Sequence, residues 1–177
     1  LARACAILAE RGLDFRLMLI GNENVSGTEK GPITEAIERV SSEHGLSSKL
    51  IMPGRIPHEQ VESHYSLIDI APFPRKPQPV TEMVSPMKPL EAFAMQKAVV
   101  ASSVNALSEM VQHETTGLVF EKGSVESLAD CLERLIKDPA LRQRLGSEGR
   151  KWVERERTWE KTASRANTRI SELIEAL

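Results

Sequence analysis

A chain of 177 residues with 41% apolar and 27% charged side chains has the size and core content of one α/β domain, and lacks the polar bias of a disordered chain. Its 23 Lys and Arg stand against 25 Asp and Glu, a net charge of -2. No broad basic field favours nucleic acid or an anionic membrane, so an anionic ligand must be caught by local geometry. No apolar run approaches the ~20 residues of a membrane span, and the amphipathic, charged N-terminus is unlike a secretory leader, so a cytoplasmic location is expected.

Leu1, Ala4, Cys5 and Leu8 recur at helical spacing and Gly12 follows, so the chain opens inside a helix. Arg16 to Gly21 is a short apolar run ending in glycine, which predicts a strand buried on both faces. Gly31-Pro32 starts a helix striped by Ile33, Ala36, Ile37 and Val40 that ends near Gly45. The strand-then-glycine pattern returns at Lys49 to Gly54. Pro57 and the stripe Val61, Tyr65, Ile68 predict a helix, and Ile68 to Phe73 a strand.

The segment Pro72 to Pro89 holds six of the ten prolines, which excludes a regular helix or a central strand. Beyond it come a helix at Leu90 to Gln96, a β-branched strand at Ala98 to Ser102, a short helix at Leu107 to His113 and a strand at Thr116 to Phe120. From Ser124 onward the pattern is helical: a stripe of Val125, Leu128, Leu132, Leu135 and Ile136, then Asp138-Pro139 as N-cap and first residue of the next helix. A last stripe runs from Trp159 to Leu177. Alternating strands and helices imply a Rossmann-like, doubly wound parallel sheet covered on both faces, with a helical C-terminus; residues 1–177 read as one domain.

In such sheets ligands bind outside the carboxyl ends of the strands. The segment Pro72 to Pro89 is the best candidate there, because it delivers Pro86, Met87 and Lys88 to the start of the helix that carries Glu91. A helix N-terminus offers unpaired N–H groups and a positive dipole end to an anion such as a diphosphate, and Lys88 adds a cation. Glu91 has two readings. It is either an ordinary acidic residue of a first helical turn, or a carboxylate accepting from both hydroxyls of a ribose diol.

Five stretches then matter together: FRLMLIGNEN; KLIMPGRIPHEQVESHYSLIDIAPFP; SPMKPLEAFAMQKAVVAS; the segment from Ala106 to Pro139 with Glu109; and LRQRLGSEGRKWV before a tryptophan-bearing helix. In this order and spacing the sequence, from Leu13 to Trp159, resembles the C-terminal, donor-binding domain of family-4 glycosyltransferases of GT-B architecture, the glycosyl transferases group 1 family. The resemblance implies retaining transfer of a sugar from a nucleoside-diphosphate sugar, without an obligatory metal or other cofactor. It implies that Glu91 holds the ribose hydroxyls. It places Pro86, Met87 and Lys88 in the loop facing the diphosphate, with Met87 and Lys88 as amide donors because proline has no N–H. Gly54 and Arg55 would border the base.

The family's first signature glutamate falls at Met83, so Glu82, one residue early, is the candidate for contact with the donor sugar. The family's Gly-Gly turn stands here as Asn105-Ala106; Asn105 tolerates positive φ, whereas Ala106 does not readily replace a glycine. The family's first strand, with its Arg and Lys for the diphosphate, and its N-terminal acceptor domain are absent from these residues. The fragment alone is then expected to be inactive, with its last helix exposed or paired in a homodimer, and any peripheral membrane contact left to the absent part.

Other residues read more plainly. Cys5 and Cys131 lie on apolar stripes with no further ligand at metal spacing, so buried reduced thiols are expected. His44, His58, His64 and His113 have no metal-ligand spacing. Arg75 and Lys76 are loop cations within reach of an anionic donor or acceptor, Glu109 reads as structural, and Arg155-Glu156-Arg157 as a solvated helix face. Two rivals stand beside the glycosyltransferase reading. One is a nucleotide-sugar epimerase of GT-B shape, and the other a catalytically dead domain kept for nucleotide or protein binding.

Overall fold

A computed structural model describes residues 1–21, 23 and 30–175. The chain alternates helix and strand from its start: α1 (Ala2–Glu10), β1 (Leu17–Ile20), α2 (Pro32–Glu43), β2 (Leu50–Gly54), α3 (Val61–Ser66) and β3 (Ile70–Phe73). Then follow α4 (Pro79–Met83), α5 (Lys88–Ala94), β4 (Ala98–Ser102), α6 (Asn105–Ser108) and β5 (Gly117–Phe120). Three helices close the fold: α7 (Val125–Lys137), α8 (Pro139–Glu156) and α9 (Trp159–Glu175). Leu177, the end of the expected last stripe, lies outside the described residues.

Among the described residues all strand pairings are parallel, in two sheets of order β1-β2 and β3-β4-β5. β4 shows the principle of the fold. Its five residues are all buried, and their period of two divides them between two cores. Ala98 and Val100 join Leu118, Phe120 and the apolar stripes of α1 and α7. Val99 and Ala101 face Phe93, Leu107 and Trp152, the rings of Phe93 and Trp152 meeting edge to face with centroids 5.8 Å apart. The same period explains the covered sheet expected from the sequence.

β1 departs from expectation. Its four residues are half-buried rather than enclosed, because it pairs with β2 on one side while its other side borders a cleft of about 830 Å³. β3 borders the same cleft from the other strand group, and the cleft is lined by Leu17 and Ile20 of β1, Ile70 and Pro72 of β3, and Cys5 and Leu8 of α1. Pro72 sits within β3, opposite Val100. A proline is accommodated in a strand paired on one side because the missing donor leaves no ladder bond broken on the other.

Several boundaries shift for identifiable reasons. The proline-rich segment contains one short helix, α4, opened by Pro79 at its first turn, where a missing N–H is harmless. α5 begins at Lys88 rather than Leu90, since Pro89 also fits a first turn. It ends at Ala94: Gln96 has φ 56°, and the N–H groups of Gln96 and Lys97 donate to the carbonyls of Phe93 and Ala92. That is a Schellman closure with glutamine in the place usually held by glycine. α6 covers Asn105–Ser108 rather than Leu107 to His113. His113 instead lies beside β5 and accepts a hydrogen bond from the Val119 N–H at 2.9 Å. Asp138 caps α8 as expected, accepting from the Leu141 N–H at 2.9 Å.

Candidate functional site

The carboxyl ends of β3, β4 and β5 carry three neighbouring loops, and residues from all three meet. The loop from 74 to 87 is built largely from its own polar contacts. The Arg75 guanidinium donates to the Val84 carbonyl at 2.6 Å, the Thr81 hydroxyl donates to the Lys76 carbonyl at 2.5 Å, and the Gln78 N–H donates back to that hydroxyl at 3.0 Å. Arg75 thus braces the loop from within. Burial contributes little here, with Val80, Met83 and Val84 each more than half exposed.

Glu82 reaches out of that loop. Its Oε2 accepts from the Asn105 N–H at 2.8 Å and its Oε1 pairs with the Lys122 Nζ at 2.6 Å. The ammonium of Lys122, and then the amide of Asn105, hold the carboxyl below the usual glutamate range. Lys122 is itself fixed, its N–H donating to the Ser103 hydroxyl at 3.0 Å. Asn105 and Ala106 open α6 in helical conformation, and neither is among the positive-φ residues. The backbone at this point needs no glycine, so Ala106 fits where the sequence suggested strain.

A second group forms around Glu91, in the first turn of α5. Tyr65 of α3 directs its hydroxyl toward the Glu91 Oε2 at 3.3 Å, with the Lys88 carbonyl 3.5 Å away. Burial, then the charge and hydrogen bond of Glu91, push the Tyr65 phenol up to about 12. Tyr65, Lys88 and Glu91 line one end of the cleft between β1 and β3. Glu91 and Lys88 are exposed and able to meet a ligand, as is Met87; Pro86 is half-buried. Gly54, with φ 77°, closes β2 and its carbonyl accepts from the Gly21 N–H at 2.8 Å; Arg55 follows it, exposed.

Tyr65 and Lys122 were not singled out from the sequence. Tyr65 reads there as one apolar stripe position, though a tyrosine on such a stripe carries a polar tip that needs a partner. Lys122 is a cation just past a strand's carboxyl end, which is the usable signal. Of the remaining candidates, Cys5 is buried and its thiol is pushed up to about 11 by that burial. Cys131 is half-buried rather than buried. Among the described residues no cluster of His, Cys, Asp and Glu is arranged to hold a metal ion, and no helix is long and apolar enough to cross a membrane.

Residues 1–152 match the family described as glycosyl transferases group 1. The chain belongs to that family. Among this family's curated members it is 28% identical over 142 residues to the alpha-D-kanosaminyltransferase of Streptomyces kanamyceticus, a match covering 80% of this chain and 33% of that protein. It is 27% identical over 137 residues to a GDP-mannose-dependent mannosyltransferase of Mycobacterium tuberculosis acting on phosphatidylinositol monomannoside, covering 76% of this chain and 36% of the other. The group 1 chain thus spans about a third of the length of these relatives. Its fold is similar to that of sucrose-phosphate synthase from Thermosynechococcus elongatus, with a TM-score of 0.82 and 26% identity over 99% of this chain and 43% of that one. It is also similar to the Anabaena HepE protein in complex with UDP-glucose, with a TM-score of 0.76 and 18% identity over 99% of this chain and 44% of that one. The architecture is that of one GT-B half.

Proposed function

We propose that this chain binds a nucleoside-diphosphate sugar at the carboxyl ends of β2 to β5, as the donor half of a retaining glycosyltransferase whose acceptor site lies elsewhere in a longer protein. The observation that carries the reading is Glu91, an exposed carboxylate beside Lys88 and Tyr65 at the mouth of a cleft, in a group 1 family member. A carboxylate next to a phosphate-binding cation suits a neutral diol, which donates two hydrogen bonds without adding charge. Glu91 then takes the ribose hydroxyls, the Met87 and Lys88 amides and the Lys88 ammonium face the diphosphate, and Gly54 and Arg55 border the base. No metal or other cofactor is invoked. Charge leaving with the diphosphate is stabilised by amides and cations aimed at it.

Relatives described as GDP-mannose-dependent and a structural neighbour solved with UDP-glucose support the donor class, and together leave the base and sugar open. The acceptor side of the reaction is assigned to the remainder of a longer protein. So is the covering of α9, whose Ile170, Leu173 and Ile174 are more than half exposed; a homodimer through α9 is the alternative cover. The alternative of a domain kept for protein contacts, which binds no nucleotide, is separated by the same experiment. The full chain is titrated with UDP, GDP and ADP, then with their sugar conjugates, and again as Glu91→Ala. One nucleotide is expected to bind saturably, with a loss of roughly tenfold or more in Glu91→Ala, as for a lost hydrogen bond to a charged group. Binding unchanged by Glu91→Ala rejects the assignment of Glu91, and absence of any nucleotide binding rejects the donor reading.

A further inference from the structure

Glu82 stands where the donor sugar would call for a free carboxylate, yet both of its oxygens are taken by protein groups. Oε2 holds the amide that opens α6 and Oε1 holds Lys122, at 2.8 and 2.6 Å. The side chain is only 21% exposed. The loop it belongs to presents Val80, Met83, Val84 and Met87 to solvent at 52 to 76%, so apolar burial does not seat it. Its internal bonds, Arg75 to Val84 and Thr81 to Lys76, give the loop a shape without fixing where it lies. The Glu82 carboxylate ties that shape to the loops after β4 and β5, and the Lys122 N–H to Ser103 bond locks those two loops together.

We infer that Glu82 is a positioning residue for the donor site: its clasp on Asn105 and Lys122 sets where the loop from 74 to 87 delivers Pro86, Met87 and Lys88. The inference rests on the donor reading above and replaces direct sugar contact as the role of Glu82. It has a definite energetic signature. A group that touches the sugar loses affinity only for ligands that carry the sugar. A group that positions the diphosphate loop loses affinity for the nucleoside diphosphate and its sugar conjugate alike, and shares that loss with its clasp partner.

The test compares wild type, Glu82→Gln, Lys122→Met and the double variant of the full chain, titrated with the nucleoside diphosphate that binds wild type and with its sugar conjugate. Both single variants should weaken both ligands by the same factor, roughly tenfold, and the double variant should be no weaker than the worse single one. Amide exchange read alongside should speed up at Asn105 in both variants and stay unchanged in β4, which separates a loosened clasp from general unfolding. Glu82→Gln weakening the sugar conjugate alone, with Lys122→Met silent, overturns the inference in favour of direct contact. Ordinary affinity for both ligands in both variants overturns it as well. A wild type that binds no nucleotide instead overturns the donor reading, a result distinguishable from these because it precedes any variant. Lys122 lies outside the segment from 72 to 89, so Lys122→Met keeps the test open where Glu82→Gln fails to fold.

Discussion

At the scale of single residues, the pairing of Tyr65 with Glu91 has a measurable pH consequence. An unfolded tyrosine ionises near 10, whereas the folded Tyr65 holds its proton up to about 12. Between those values only the unfolded chain releases this proton, so the stability Tyr65 contributes is complete below about 10 and is lost as pH rises through about 12. Thermal midpoints taken across that window should fall less steeply for Tyr65→Phe than for wild type; parallel slopes would mean that the phenol is not held by its surroundings. Residue-scale roles were only partly legible in the sequence. Glu91 stands out in the sequence by its place in the first turn of the helix after the proline-rich segment, and the structure shows it exposed, with the Tyr65 hydroxyl at 3.3 Å. Tyr65 was missed because its partner, Glu91, is distant in the chain and meets the phenol only in the folded protein. Glu82 stands out in the sequence as a candidate for donor-sugar contact, whereas its bonds to Asn105 and Lys122 do not, since neither is near it in sequence.

At the scale of elements, the joint between α5 and α8 shows how a helix can depend on what lies across it. A Cβ built on Gly146 would come 2.2 Å from the Gln96 carbonyl oxygen, and one on Gly149 would come 2.3 Å from the Phe93 ring. The Gln96 carbonyl is backbone and is already held by the Schellman closure of α5, so it cannot step aside. Gly146→Ala would gain about 1 kcal/mol of helix propensity in an open helix; here overpacking should outweigh that gain and lower stability by roughly 1–3 kcal/mol. Chemical denaturation of the variant measures it, and a midpoint equal to wild type or higher would show that α8 is free to lift. The sequence gives two glycines inside a helix with no reason for them, because the reason sits on another element. Elements with a local signal read well: the proline and aspartate that start α8, the apolar stripe of α7, the β-branched run of β4. Element ends read less well: α5 stops at Ala94 rather than Gln96, and α6 at Ser108 rather than His113.

At the scale of the whole molecule, the described strands form two parallel sheets rather than one, and they are unevenly secured. β4 is paired on both sides and buried on both faces, whereas β1 and β2 pair with each other and remain half-open, Ile51 being 40% exposed. Amide exchange should therefore be slowest in β4 and faster by orders of magnitude in β1 and β2, where opening needs no disruption of the two main cores. Equal protection across β1 to β5 would contradict this division. The cleft between β1 and β3 bears on how firmly its lining residues are held. Tyr65, Lys88 and Glu91 stand at one end of a hollow that continues down to Cys5 and Leu8, so their footing is not the close-packed material that makes protein interiors stiff. Side chains at that end are therefore held by fewer close neighbours than those of the two main cores, and should reorient more readily than fully packed groups do.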